Sequence, residues 1–155
     1  MELKELTEKV LAILEIKNID DISKKLFDIS IKNENKIYEE FCNIVDHDLS
    51  KDWLQMIYQY YLSDRKEKKQ DYTPISLARL AGRLAGDSEC VIDMCAGSGA
   101  LTIQKWNLNS DKKFLLYESD KNVIPFLIFN MALRNIIKHT CYDFKYMEAA
   151  YILSE

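Results

Sequence analysis

Glycine, proline and cysteine are scarce in this chain. Its 155 residues hold 4 glycines, 2 prolines and 4 cysteines. Neither glycine nor proline occurs in residues 1–64, which suits uninterrupted helix. The prolines, Pro74 and Pro125, are far apart, so no Pro-Pro dipeptide exists. Cys42, Cys90, Cys95 and Cys141 form no C-x-x-C pair, and His47 and His139 are widely separated. That pattern argues against zinc and for reduced, mostly buried thiols. No apolar run approaches the roughly 20 residues of a membrane-spanning helix. The N-terminal "MELKELTEKVLAILEI" mixes acids and lysines into its apolar residues, unlike a signal peptide. The expected compartment is the cytoplasm, with no membrane partner.

A strong basic excess is missing too. Net charge is −4. Residues 1–64 carry 8 Lys+Arg against 14 Asp+Glu, and residues 65–155 carry 13 against 11. Phosphate-driven binding favours a basic surface, so any contact with DNA is expected to be weak for this chain alone.

What is present divides at about residue 65. Leu3, Leu6, Val10, Leu11, Ile13 and Leu14 recur at helical spacing, predicting a helix over 2–17. Asp20 or Asp21 is the expected cap of a second helix through Leu26 and Phe27. Further helices are expected over 35–45 and 51–63. The last presents Trp53, Leu54, Ile57, Tyr58 and Tyr61 as a core stripe. Residues 65–71, within "SDRKEKKQD", read as a solvated connector.

From residue 72 the pattern alternates. "TPISLARLAGRLAG" predicts a helix from Pro74 to near Gly86. "ECVIDM" predicts a buried strand, "ALTIQKW" a helix, "KFLLYESD" a strand and "NVIPFLIFNMALRNI" a helix. "HTCYDF" is a candidate third strand, and "YMEAAYILSE" fits more than one state. The expected class is therefore α/β. It comprises a helical region (1–64), the connector (65–71) and a parallel-sheet domain (72–155) with right-handed crossovers.

The stretch "VIDMCAGSG" (residues 91–99) ends a strand on Asp93 and passes into Gly97 and Gly99. Ligands of such sheets bind beyond the carboxyl ends of the strands. Glycines let the backbone approach a ligand, and the helix that follows offers free N–H groups to a carboxylate. Glu118 ends the next strand, where an acid accepts hydrogen bonds from a ribose diol. The spacing is neither G-x-G-x-x-G nor a P-loop, and an acid beside the glycines disfavours polyphosphate. S-adenosylmethionine meets these demands, with its ammonium, sulfonium, carboxylate and ribose. The alternative is a plain tight turn with an ordinary strand-end acid; Glu118 weighs against it.

These residues resemble a known family. "DMCAGSGALT" resembles the D-P-C-A-G-S-G turn of N6-adenine DNA methyltransferases, above all the modification subunits of type I restriction systems. "DYTP" (residues 71–74) resembles their upstream Y-T-P motif. "LLYESD" and "FLIFNMALRNI" resemble their strand-end acid and N-x-x-L-x-x-I helix. The likeness covers about residues 71–143, with Met94 where the family carries proline. It implies a partial Rossmann-like methyltransferase fold of about three strands that binds S-adenosylmethionine. Tyr72, Thr73 and Pro74 would line the methionine end, and Asp93 would face the ammonium. Ala96, Gly97, Ser98 and Gly99 would wrap the cofactor. Glu118 would bind the ribose, and Asp143 would meet the adenine amine.

The family's catalytic [DNS]-P-P-[FYW] motif is absent from these residues, and no target-recognition region follows Asp143. No residue is assigned a catalytic role. Cys95 is not read as a nucleophile, since no histidine lies near it in sequence. In the fold the resemblance implies, a sheet that stops after three strands leaves "CVIDM" at an edge, to be covered by residues 144–155 or by another chain. A homodimer or a complex with a partner protein is expected. Three readings stay open. One is a cofactor-binding relative without autonomous chemistry. Another is an active subunit completed by a partner. The third is an interaction protein, regulatory or inhibitory, with a decayed pocket.

Overall fold

The computed structural model describes residues 1–32, 34–63 and 72–137. The first part is helical. It comprises α1 (Leu3–Ile13), a 3-10 turn (Ile19–Asp21), α2 (Ile22–Lys32), α3 (Asn35–Ile44) and α4 (Trp53–Tyr61). The second alternates: α5 (Ile75–Leu84), β1 (Cys90–Asp93), α6 (Ala100–Leu108), β2 (Lys113–Leu116) and α7 (Ile124–Ile137). The expected connector at 65–71 and third strand at "HTCYDF", with Asp143, lie outside the described residues.

β1 and β2 pair in parallel, with Cys90 opposite Lys113 and Asp93 opposite Leu116. The crossover between them is α6, so the chain is of mixed α/β construction. α5 packs on α6 through small residues. A Cβ on Gly82 would sit 3.3 Å from the Gln104 and Lys105 backbone, a tight contact that would push the two helices apart by a few tenths of an ångström.

One large core joins the two parts. Leu6, Val10, Ile22, Leu26, Ile29, Tyr38 and Phe41 from the first helices share it with Phe126, Phe129, Ala132 and Leu133 of α7. Phe129 is the central wedge, its ring 4.8 Å from Tyr38 and 5.4 Å from Phe41. Burying such apolar side chains, each worth about 1.5–3 kcal/mol, ties α7 to the helical region.

Several expectations need correction. The 3-10 turn after α1 is capped by Asn18, whose side chain accepts from Asp20 N, and α2 begins at Ile22, directly after Asp21. Asn18 precedes the turn, where a cap must sit to reach the free N–H groups. On α4, Leu54, Ile57 and Tyr58 are buried but Tyr61 is exposed. β1 is not a buried strand. Ile92 is 59% exposed, because among the described residues only β2 pairs with β1. Nor are the described thiols mostly buried: Cys42 is, while Cys90 and Cys95 are exposed. Among the described residues, no helix is long and apolar enough to cross a membrane.

Candidate functional site

The loop after β1 is built by hydrogen bonds to the end of β2. Ala96 N donates to Tyr117 O at 2.9 Å, and Tyr117 N donates to Asp93 O at 2.9 Å. Gly97 N donates to Glu118 Oε2 at 2.8 Å. Glu118 Oε1 accepts from Ser119 N and Asp120 N, each at 2.8 Å. One carboxylate thus organises both strand-end loops. Charge-assisted bonds of this kind are among the stronger ones available to a turn.

Two left-handed glycines complete the bend. Gly97 has φ +56° and Gly99, the cap of α6, has φ +102°. A Cβ on Gly99 would lie 2.9 Å from Met131 Cε and 3.1 Å from Leu127 Cδ1 on α7. The turn therefore sits directly against α7, and α6 begins with its unpaired N–H groups at the bend.

A cavity of about 170 Å³ opens over this loop. Its wall is Gln55, Tyr72, Thr73, Cys95, Ala96, Gly97, Ser98, Ala100, Leu101, Glu118, Asp120 and Val123. Among the described residues no lysine or arginine lines it, and two acids do. Burial pushes the Tyr72 hydroxyl above its ordinary pKa, reinforced by Tyr58 and the nearby acids, so Tyr72 stays a neutral donor. A second cavity of about 190 Å³ adjoins, sharing Gln55, Thr73 and Ala100 and reaching Asp52, Met56 and Gln104.

Of the residues singled out in the sequence, Tyr72, Thr73, Ala96, Gly97, Ser98 and Glu118 converge on the first cavity. Gly99 shapes the turn without lining the cavity, and Pro74 only starts α5. Asp93 is not in the wall either. Its carboxylate accepts from Thr102 Oγ1 at 2.9 Å and so fixes the first turn of α6. Asp143 lies outside the described residues. Sequence reading missed Gln55, Asp120 and Val123. Asp120 stands two residues past Glu118 and was reachable by that spacing. Gln55 comes from the helical region and carries no local signal.

A polar lock behind the turn was also missed. Asn130 Nδ2 donates to Ser98 O at 2.9 Å and to Asp52 Oδ1 at 2.9 Å. Arg134, 2% exposed, donates to Leu49 O at 3.0 Å, Lys51 O at 3.1 Å and Asn130 O at 2.8 Å. Burial lowers the Arg134 guanidinium pKa to about 10, against the opposing pull of Asp52; it remains charged at neutral pH.

The residues present fit S-adenosylmethionine as a chemical class. Acids without cations suit a cationic, diol-bearing ligand and oppose a polyphosphate, and the glycine bend admits close backbone approach. Comparisons with known proteins agree on the family. The N-6 DNA Methylase model matches residues 49–146, from the loop before α4 onward, and so takes in Asp52, Gln55, Tyr72, the glycine turn, Glu118 and Asn130. No curated protein and no solved structure matched the chain. A match over more than half of its length, spanning the turn and the residues that clamp it, shows that the chain belongs to the N-6 DNA methylase family.

Proposed function

We propose that this chain binds S-adenosylmethionine as an N6-adenine DNA methyltransferase-like protein of restriction-modification type, without autonomous catalysis. The observation that carries the reading is the cavity over the glycine turn, walled by Tyr72, Thr73 and Glu118, with no basic side chain among the described residues that line it. When bound, the cofactor supplies an electrophilic methyl group. The chain's own residues bind and orient. Glu118, already the acceptor for Gly97 N, is positioned to take ribose hydroxyls. The first N–H groups of α6 face a carboxylate favourably. Tyr72 and Gln55 shield one side. Asp93 acts through Thr102 and the loop geometry, and its field favours the ammonium.

A second reading, an active subunit completed by another chain, draws on exposed apolar surface. Ile92 and Met94 on and beside β1, and Leu77, Leu80 and Leu84 on α5, are all exposed. Such a surface suits a second copy or a partner protein. DNA contact then depends on that assembly.

Titration calorimetry with S-adenosylmethionine tests the binding claim. The expected result is saturable 1:1 heat, lost with the Glu118→Ala variant by about tenfold or more in affinity, as for a charged hydrogen bond of roughly 1.5–3 kcal/mol. Absence of heat for the intact chain overturns it. A methyl-transfer assay on unmethylated DNA separates the two readings: turnover by the chain alone sinks the first. Light scattering at high concentration tests the partner surface, and a clean monomer argues against self-association.

A further inference from the structure

We infer that Asn130 is a positioning residue for the cofactor turn, and that Asp52 and Arg134 anchor it to the helical region. The inference rests on the S-adenosylmethionine reading for its functional meaning, but its structural half stands apart.

Three segments meet at one side-chain amide. Asn130 is 1% exposed on α7. It gives one hydrogen bond to the Ser98 carbonyl inside the glycine turn and one to Asp52 Oδ1 at the start of α4. Asp52 Oδ1 also accepts from Gln55 N at 2.9 Å, and Gln55 lines the cavity. Arg134 closes the arrangement, holding the loop before α4 through two carbonyls and the α7 backbone through a third. Leucine or alanine at 130 leaves the Ser98 carbonyl and the Asp52 carboxylate buried without this donor.

Asp52 Oδ2 and Ser98 Oγ are buried without a hydrogen-bond partner among the described residues. Burial pushes the Asp52 carboxyl upward, and the nearby Ser98 hydroxyl pulls it back. Ser98 itself lines the cavity. The turn is therefore gripped from outside by Glu118 and from inside by Asn130 of α7, which is itself held by Asp52 of the helical region. A helical segment that looks like a separate appendage in sequence is in this way one wall and one clamp of the cofactor site.

The test compares Asn130→Leu with Val10→Ala, a core change on α1 distant from the turn, under conditions of matched stability. S-adenosylmethionine affinity is measured by calorimetry, and amide hydrogen exchange is followed in the peptide spanning residues 94–101. The expected result is about tenfold weaker binding and faster exchange in that peptide for Asn130→Leu alone. Equal behaviour of the two variants overturns the positioning role and leaves Asn130 a plain stabiliser. Should Asn130→Leu fail to fold, Asp52→Ala against Asp52→Asn makes the same comparison. The amide retains an oxygen for Asn130 and Gln55, so Asn is expected to restore affinity where Ala loses it; failure of that rescue overturns the proposal. If the intact chain binds no S-adenosylmethionine, the proposed function falls, and the exchange measurement alone decides whether Asn130 holds the turn.

Discussion

Individual residues at the turn do more than one thing, and each overlap makes a substitution readable. Gly99 combines a left-handed φ with a close approach to α7. Gly99→Ala places a β-carbon where backbone conformation disfavours it, at a strain of about 1–3 kcal/mol. Met131 Cε can move aside, so backbone strain rather than collision sets the magnitude. The expected outcome is a lower thermal midpoint with weakened cofactor binding, measured by calorimetry on the same sample. Cysteine positions give a second test. Cys95 is exposed on the cavity wall, Cys90 is exposed on β1, and Cys42 is buried with its thiol pKa raised by that burial. Iodoacetamide at neutral pH should modify Cys90 and Cys95 and spare Cys42, as peptide mass spectrometry reads out. Bound S-adenosylmethionine should protect Cys95 and leave Cys90 reactive. Equal protection of both would place the ligand elsewhere or implicate a wider conformational change.

At the scale of elements, α4 shows how a cap becomes part of a site. Asp52 caps it by accepting from Gln55 N. Asp52→Ala removes that bond and should cost about 0.5–2 kcal/mol from capping alone. Burial also raises the Asp52 pKa, so between the unfolded and the folded value the folded chain binds more proton there than the unfolded chain. Its stabilising contribution is full below the ordinary aspartate range near about pH 4 and is lost as pH rises through the raised value. Asp52→Asn keeps the cap and abolishes this titration. Denaturant unfolding across the acid-to-neutral range should therefore show a flatter decline for the variant; an unchanged slope assigns the pH dependence to other groups. The elements themselves were largely legible in the sequence. Helical spacing located α1, an apolar stripe α4 and a long apolar run α7, while a β-branched run located β1 and an apolar run ending in acids located β2. The burial of β1 was not legible, because an apolar strand is buried only if something covers it.

Taken whole, the chain is organised around α7 rather than around its sheet. Composition divides the sequence after residue 70, where proline and glycine begin with Pro74 and Gly82, but packing ignores that line. Phe129 sits between Tyr38 and Phe41, Asn130 reaches Asp52 and Ser98, and Arg134 lies 5.7 Å from the Trp106 ring. Residues of one helix thus serve the helical core and the glycine turn. The glycine turn was legible because its residue types are constrained locally. The lock was not, because its partners lie 32 and 78 residues from Asn130 and nothing local marks them. This arrangement predicts joint unfolding. Phe129→Ala opens a cavity in a fully buried position and should cost about 3–5 kcal/mol, a large share of the 5–15 kcal/mol typical of a folded domain. Trp53 reports on the helical region and Trp106 on α6, so Trp53→Phe and Trp106→Phe backgrounds isolate each signal. In urea both signals should move to a lower midpoint together, because the lost ring supports both parts. A shift of the Trp53 signal alone, with the Trp106 transition left in place, would mean that the cofactor turn stands without the helical core.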